Sequence, residues 1–131
     1  MILLPTTLSA AAAAALIAFW LSTRVAMVRR ANKVAHGDGG VPALGRRMRA
    51  QMNFVEYTPF VLILCALIEL SGRGGLPLAL AMAVYMLARV AHAFGMDGDG
   101  VPLTRQIGIG VTFFVLLGLA VWAVIIAAGV A

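Results

Sequence analysis

Gln106–Ala131 reads QIGIGVTFFVLLGLAVWAVIIAAGVA and contains no charged residue. At ~1.5 Å per residue, a helix of this length crosses the ~30 Å hydrocarbon core of a bilayer. Working outward, Met1–Thr23 is equally free of charge. No Lys or Arg precedes that run and the positive charges follow it, the wrong polarity for a secretory leader. Asn53–Leu70 is apolar apart from Glu56 and Glu69, and Gly74–Met96 apart from Arg89 and His92. Pro5, Pro42, Pro77 and Pro102 each stand where a helix would begin, a place where the missing N–H removes no bond. Glycines gather in the gaps. The pattern predicts a single all-α membrane domain over 1–131, a four-transmembrane-helix bundle with helices at about 5–35, 43–70, 76–96 and 102–129.

Composition agrees. Of 131 residues, 63% are apolar and 11% charged, against roughly 45–50% and 25% in soluble domains. So much apolar surface must face lipid. The same numbers exclude a disordered chain. One cysteine, Cys65, excludes an intrachain disulfide, and two histidines, His36 and His92, argue against a zinc site. No metal is expected. Cys65 has no charged neighbour in sequence, and Asp97-Gly98-Asp99-Gly100 reads as a turn.

The net charge is +5, and seven of the ten basic residues lie between Arg24 and Arg49. A basic loop beside a membrane helix sets topology and meets anionic headgroups. Membrane lipids are therefore the expected partners of this charge, and nucleic acid is not. The Lys/Arg bias predicts loops 1 and 3 in the cytoplasm and both termini on the opposite side.

An ionisable side chain inside the bilayer costs at least ~2.5–3.5 kcal/mol and usually faces protein or water. Helix 2 carries Arg46-Arg47-Met48-Arg49-Ala50-Gln51-Met52-Asn53-Phe54-Val55-Glu56-Tyr57. With Arg46 at zero and about 100° per residue, Arg49, Asn53 and Glu56 fall near 300°, 340° and 280°, with Tyr57 near 20°. One stripe thus holds a basic, an amide, an acidic and a phenolic group. It suits a polar ligand offering a carboxylate to arginine and an ammonium or amide to Glu56. The structural alternative is a network in which Arg49 and Glu56 neutralise each other through Asn53. On helix 3, Arg89 and His92 are three apart and share a face. Arg105 opens helix 4, where the helix dipole disfavours a cation, and this suggests an anion nearby. Arg29, Arg30 and Lys33 close helix 1.

Arg49-Ala50-Gln51-Met52-Asn53-Phe54-Val55-Glu56-Tyr57-Thr58-Pro59-Phe60 resembles the signature of the MAPEG family, the membrane-associated proteins in eicosanoid and glutathione metabolism. The microsomal glutathione transferase and leukotriene-C synthase branch is the most similar. Arg29-Arg30-Ala31-Asn32-Lys33-Val34 resembles the family's helix 1 ending, and Tyr85-Met86-Leu87-Ala88-Arg89-Val90-Ala91-His92 its third helix. The resemblance implies a homotrimer with glutathione as co-substrate, bound between subunits near the cytoplasmic face. It implies that Arg49, Asn53, Glu56 and Tyr57 hold the tripeptide, together with Arg29, Arg89 and His92. It implies that Arg105, with Arg30 as a second candidate, acts on the thiol. The second substrate would be a lipophilic electrophile or a lipid hydroperoxide. The sequence departs from the family at Met96, where related synthases carry tyrosine, and at Gln106 and Ile109, near positions that carry hydroxyls in some members. Brevity favours a bacterial, detoxifying member in an inner membrane.

Three other functions compete. A non-enzymatic MAPEG-like lipid-binding protein would keep the trimer without activating a thiol, and the set Arg49, Asn53 and Glu56 argues against it. A small proton-coupled multidrug transporter using Glu56 needs an acid free of nearby cations, yet Arg49 lies two turns away on the same face. A purely structural subunit would use the polar groups for packing alone.

Overall fold

The structure, a computed structural model, describes residues 2–130. Four helices follow in order: α1 (Pro5–Asn32), α2 (Pro42–Ile68), α3 (Leu76–Gly95) and α4 (Leu103–Ala127). All four are long and apolar enough to cross a membrane. The chain is an all-α, four-helix membrane protein.

The helix ends have local causes. The sequence extends helix 1 to residue 35, but Lys33 adopts a left-handed conformation (φ 54°) and its N–H bonds to the Arg29 and Arg30 carbonyls, which closes α1 at Asn32. The sequence extends helix 2 to residue 70. Its α-helical ladder stops at Ile68 and passes into a π-helical turn, Glu69–Arg73, that ends through Gly72 at φ 80°.

Each helix buries one stripe. On α1 it is Ala10, Ala14, Ile17 and Leu21, and on α4 it is Gly108, Thr112, Val115 and Leu119, each set recurring at four- and three-residue steps. The small alanines of α1 let it lie close to the bundle. Apolar side chains also fill the outer surface, with Phe114 81% exposed and Phe19 74%. An apolar interior inside an apolar exterior fits lipid as the surrounding medium. The central helix α3 packs against α1, α2 and α4. Its 20 residues make about 30 Å of helix, the thickness of the hydrocarbon core.

The two ends of the bundle are tied differently. At the end carrying the N-terminus, Leu4 offers α1 no side-chain cap. Glu69 supplies one from the end of α2: its carboxylate accepts the Thr6 N–H at 2.9 Å, the Thr7 N–H at 2.8 Å and the Thr7 hydroxyl at 2.7 Å. A carboxylate on the first free N–H groups satisfies orphan donors and meets the positive helix end. At the other end, α1 and α2 overshoot α3, and the excess holds the basic residues. Arg24, buried on α1, forms a two-pronged ion pair with Asp97 just beyond α3 and donates to the Ala93 carbonyl at 3.3 Å. Its guanidinium also lies 4.8 Å from the Trp20 ring centroid and 5.4 Å from that of Phe94. Arg46 pairs with Asp99, and Arg47 approaches Asp97 at 3.8 Å. Asp97 and Asp99 do lie in the expected turn, but they also clasp loop 3 to α1 and α2.

Glu69→Ala removes a cap assembled from two helices. It is expected to destabilise the detergent-solubilised protein by about 1 kcal/mol, read as a fall in melting temperature, with Glu69→Gln falling less because it keeps one acceptor. Melting unchanged in both variants would show that the cap contributes nothing.

Candidate functional site

At the loop 1 and loop 3 end, α2, α3 and α4 enclose a cavity of about 340 Å³. Arg49, Met52, Asn53 and Glu56 form its α2 wall, and His92 and Met96 come from the end of α3. Val101, Arg105, Gln106 and Ile109 close it from loop 3 and α4. Five of the polar residues singled out from the sequence therefore meet at one place: Arg49, Asn53, Glu56, His92 and Arg105. The structure does not join Arg49 to Glu56 in an ion pair among the described residues. Nor does Asn53 bridge them, because its carbonyl oxygen accepts from Arg89. The self-neutralising network is thus replaced by an α2 wall whose charges face the cavity.

The stripe on α2 divides at one edge. Arg46 turns away to Asp99. Tyr57 is not part of the cavity lining; its ring packs edge-on against Phe113, with centroids 5.5 Å apart. The cavity is served by the arc beside them, which holds Glu56, Arg49 and Asn53.

Arg89 lies behind the cavity wall, 1% exposed. It donates to the Thr112 hydroxyl at 2.7 Å and to the Asn53 carbonyl, and its Nη2 lies 3.3 Å from His92 Nδ1. Thr112 in turn donates to the Gly108 carbonyl at 2.8 Å. One guanidinium thereby joins α2, α3 and α4 directly beneath the cavity. No spacing rule pointed to Thr112, because its partner is 23 residues away.

Arg29 and Arg30 lie elsewhere. Arg29 donates to the Gly37 carbonyl at 2.6 Å and borders a groove with Met48, Gln51, Met52 and Val55, next to the cavity along α2, with Met52 lining both. Arg30 lies on another face of α1, beside Thr23 and Met27. Neither contributes to the cavity within one protomer.

Glycines set the spacing of α3 and α4. A Cβ on Gly95 would lie 2.5 Å from the Arg105 backbone nitrogen, and one on Gly108 would lie 2.5 Å from His92 Cβ and 2.9 Å from the Ala88 carbonyl. Small residues allow backbones this close where no aqueous hydrophobic effect drives helices together. The contact carries the first turn of α4 against the end of α3 and so brings Arg105 to the cavity containing His92. Gln106 holds the same turn, donating to the Val101 carbonyl at 2.9 Å.

Residues 7–125 match the MAPEG family. The chain belongs to the MAPEG family. It is also similar to inner membrane protein YecN of Escherichia coli (strain K12), 31% identical over 103 residues that cover 79% of this chain and 78% of that protein. YecN of Escherichia coli O6:H1 gives the same identity and coverage. The MAPEG match runs through all four helices and therefore includes every residue of the cavity. Membership and spans together make the chain a multi-pass membrane protein, similar to one of the bacterial inner membrane.

Gly108→Ala tests whether the close approach holds the site. The added methyl has no room, and overpacking of this kind destabilises by about 1–3 kcal/mol. Gly110→Ala is the control: nothing lies within 4 Å of a Cβ there, so the better helix former should be neutral or stabilising. Equal melting temperatures for the two variants would mean that the α3–α4 contact tolerates separation.

Proposed function

We propose that this MAPEG protein is a glutathione-dependent transferase or peroxidase of the inner membrane, with loops 1 and 3 cytoplasmic. The observation that carries the reading is the charge of the cavity and its back wall. Arg49 and Arg105 share the cavity with a single acid, Glu56, and Arg89 adds a third cation behind the wall. Glutathione in its thiolate form has the complementary pattern of two carboxylates, one ammonium and a thiolate. A carboxylate would meet Arg49, with Asn53 beside it, and the ammonium would meet Glu56. Arg105 enters from the opposite wall and would face the sulfur.

The chemistry asked of Arg105 is electrostatic. A free thiol has a pKa of ~8.5, and lowering it by about two units takes ~2.7 kcal/mol of preferential thiolate stabilisation. A fixed guanidinium in a partly dry site is able to supply that, and it cannot itself take the proton. The thiol proton leaves to water. The sulfur lone pair then forms a bond to the electrophile, whose leaving group departs with its own bonding pair. A lipophilic substrate reaches the sulfur from the bilayer. Met52, Met96, Val101 and Ile109 give the cavity an apolar lining to receive it.

The reading includes a homotrimer with shared sites. Arg29 borders a groove that adjoins the cavity at Met52, while Arg49, Asn53 and Glu56 line the cavity and Arg29 does not. Packing the groove of one protomer against the cavity of the next would bring Arg29 to the same tripeptide. The transporter reading gains no support, since Glu56 shares its cavity with Arg49 and Arg105.

Calorimetry on the detergent-purified protein tests binding: Arg49→Ala and Glu56→Ala should each weaken glutathione by more than tenfold, about 1.4 kcal/mol. Arg105→Ala should leave affinity within a few fold and raise the pKa of the bound thiol, seen as lost thiolate absorbance at neutral pH. Normal affinity in folded Arg49→Ala and Glu56→Ala would remove glutathione from this site.

Sharing between protomers has its own test. Arg29→Ala and Arg49→Ala chains, each inactive alone, should recover binding when co-expressed, because mixed trimers contain interfaces with both arginines. If each site lay within one protomer, mixing would restore nothing.

A further inference from the structure

Arg89 is a buried cation without a counter-ion. It is 1% exposed, no carboxylate pairs with it among the described residues, and its Nε has no hydrogen-bond partner. Its partners are neutral: the Thr112 hydroxyl, the Asn53 amide and the His92 ring. A guanidinium has only donors and keeps its charge. Whatever faces it must accept.

That one-sided demand fixes two groups that could otherwise point either way. The Asn53 amide can present its oxygen or its nitrogen. With Arg89 on one side, the oxygen must face inward, which leaves the NH₂ for the cavity that Asn53 lines. A neutral imidazole carries its proton on either nitrogen, and the hydrogen bond made by one nitrogen determines the state of the other. His92 Nδ1 lies against Arg89 Nη2 at 3.3 Å, so Nδ1 must be the bare nitrogen and Nε2 the N–H. His92 also lines the cavity.

We infer that Arg89 is a positioning residue that sets the hydrogen-bond polarity of the cavity, turning both Asn53 and His92 into N–H donors toward the ligand. Together with Arg49 and Arg105 they make a site of donors in which Glu56 is the carboxylate acceptor. Such a site takes an acceptor-rich anion with one ammonium, and it rejects a cationic or donor-rich molecule of the same size, whose N–H groups would face N–H groups. This assignment of ligand class rests on the cavity being the binding site proposed above; the orientation of the two side chains does not.

The experiment is nitrogen-15 NMR of the imidazole rings in the detergent-solubilised, ligand-free protein. His36→Gln removes the other histidine, which lies exposed in loop 1, and leaves His92 alone in the spectrum. The expected result is a single tautomer with the proton on Nε2 and an unprotonated Nδ1. Arg89→Met should abolish the bias and give a mixture, and Arg89→Lys, which keeps a donor and a charge, should restore it in part. Glutathione added as the probe should bind Arg89→Met at least tenfold more weakly, with partial rescue in Arg89→Lys. A His92 proton on Nδ1 or a doubly protonated ring in the otherwise unaltered protein overturns the inference, whether or not Arg89→Met folds. So does an unchanged Nε2–H tautomer in folded Arg89→Met. The tautomer is read without ligand, so failure to bind glutathione while His92 keeps the expected state counts against the proposed function alone.

Discussion

The distance between α3 and α4 governs much of this structure. Gly95 and Gly108 face the partner helix where even a methyl group would strike backbone or a Cβ atom. With the helices this close, Thr112 reaches Arg89, His92 lies against α4, and Arg105 arrives beside the end of α3. A wider gap would strand the Arg89 guanidinium without its hydroxyl partner. In a bilayer no water would replace that bond, and an unsatisfied polar group there costs several kcal/mol. The packing of small residues and the survival of a buried charge are therefore one condition.

Loop 3 follows from the same arrangement. It must cross from α3 to α4 over the cavity, and its backbone is irregular from Asp97 to Pro102. Its two aspartates pair with arginines of α1 and α2, so the loop is tethered to elements it does not follow in sequence. Val101, between the tethers and Arg105, lines the cavity. The basic residues near loop 1 thus divide into three groups by the level they reach. Arg24, Arg46 and Arg47 bind loop 3, Arg49 faces the cavity, and Arg29, Arg30 and Lys33 occupy the overshoot of α1.

The helices were legible because lipid imposes a length and a composition that chance does not produce. Arg49, Asn53 and Glu56 were legible because helical periodicity alone places them on one arc. One edge of that arc was not: Arg46 near 0° and Tyr57 near 20° have tertiary partners, Asp99 and Phe113, which draw them aside. The Glu69 cap and the Arg24–Asp97 pair escaped sequence reading for the same reason, since their partners lie 62–63 and 73 residues away. One signal for the second was present, because the acidic residues of loop 3 lie opposite a basic loop 1 on the same predicted side. The role of Thr112 carried no such signal, for a threonine in an apolar helix usually bonds its own backbone. Here it does that as well, to Gly108, and spends its remaining acceptor capacity on Arg89.

The polar economy of the bundle bears on the proposed site. A four-helix protein this short has little interior, and most of what it has is apolar. Its buried cations follow two different solutions. Arg24 is neutralised by Asp97 and covered by Trp20 and Phe94, an arrangement that is complete without a ligand. Arg89 has only neutral acceptors, and Arg49 and Arg105 lie on the same cavity with one glutamate among them. A structural role would favour the first solution at every position, because a paired ion is stable whether or not anything binds. Leaving positive charge uncompensated beside an open cavity is unfavourable in the empty protein, and an anion bound as proposed would relieve it. The contrast between Arg24 and Arg89, on neighbouring helices of one bundle, separates a cation neutralised by a carboxylate from one held by neutral acceptors alone.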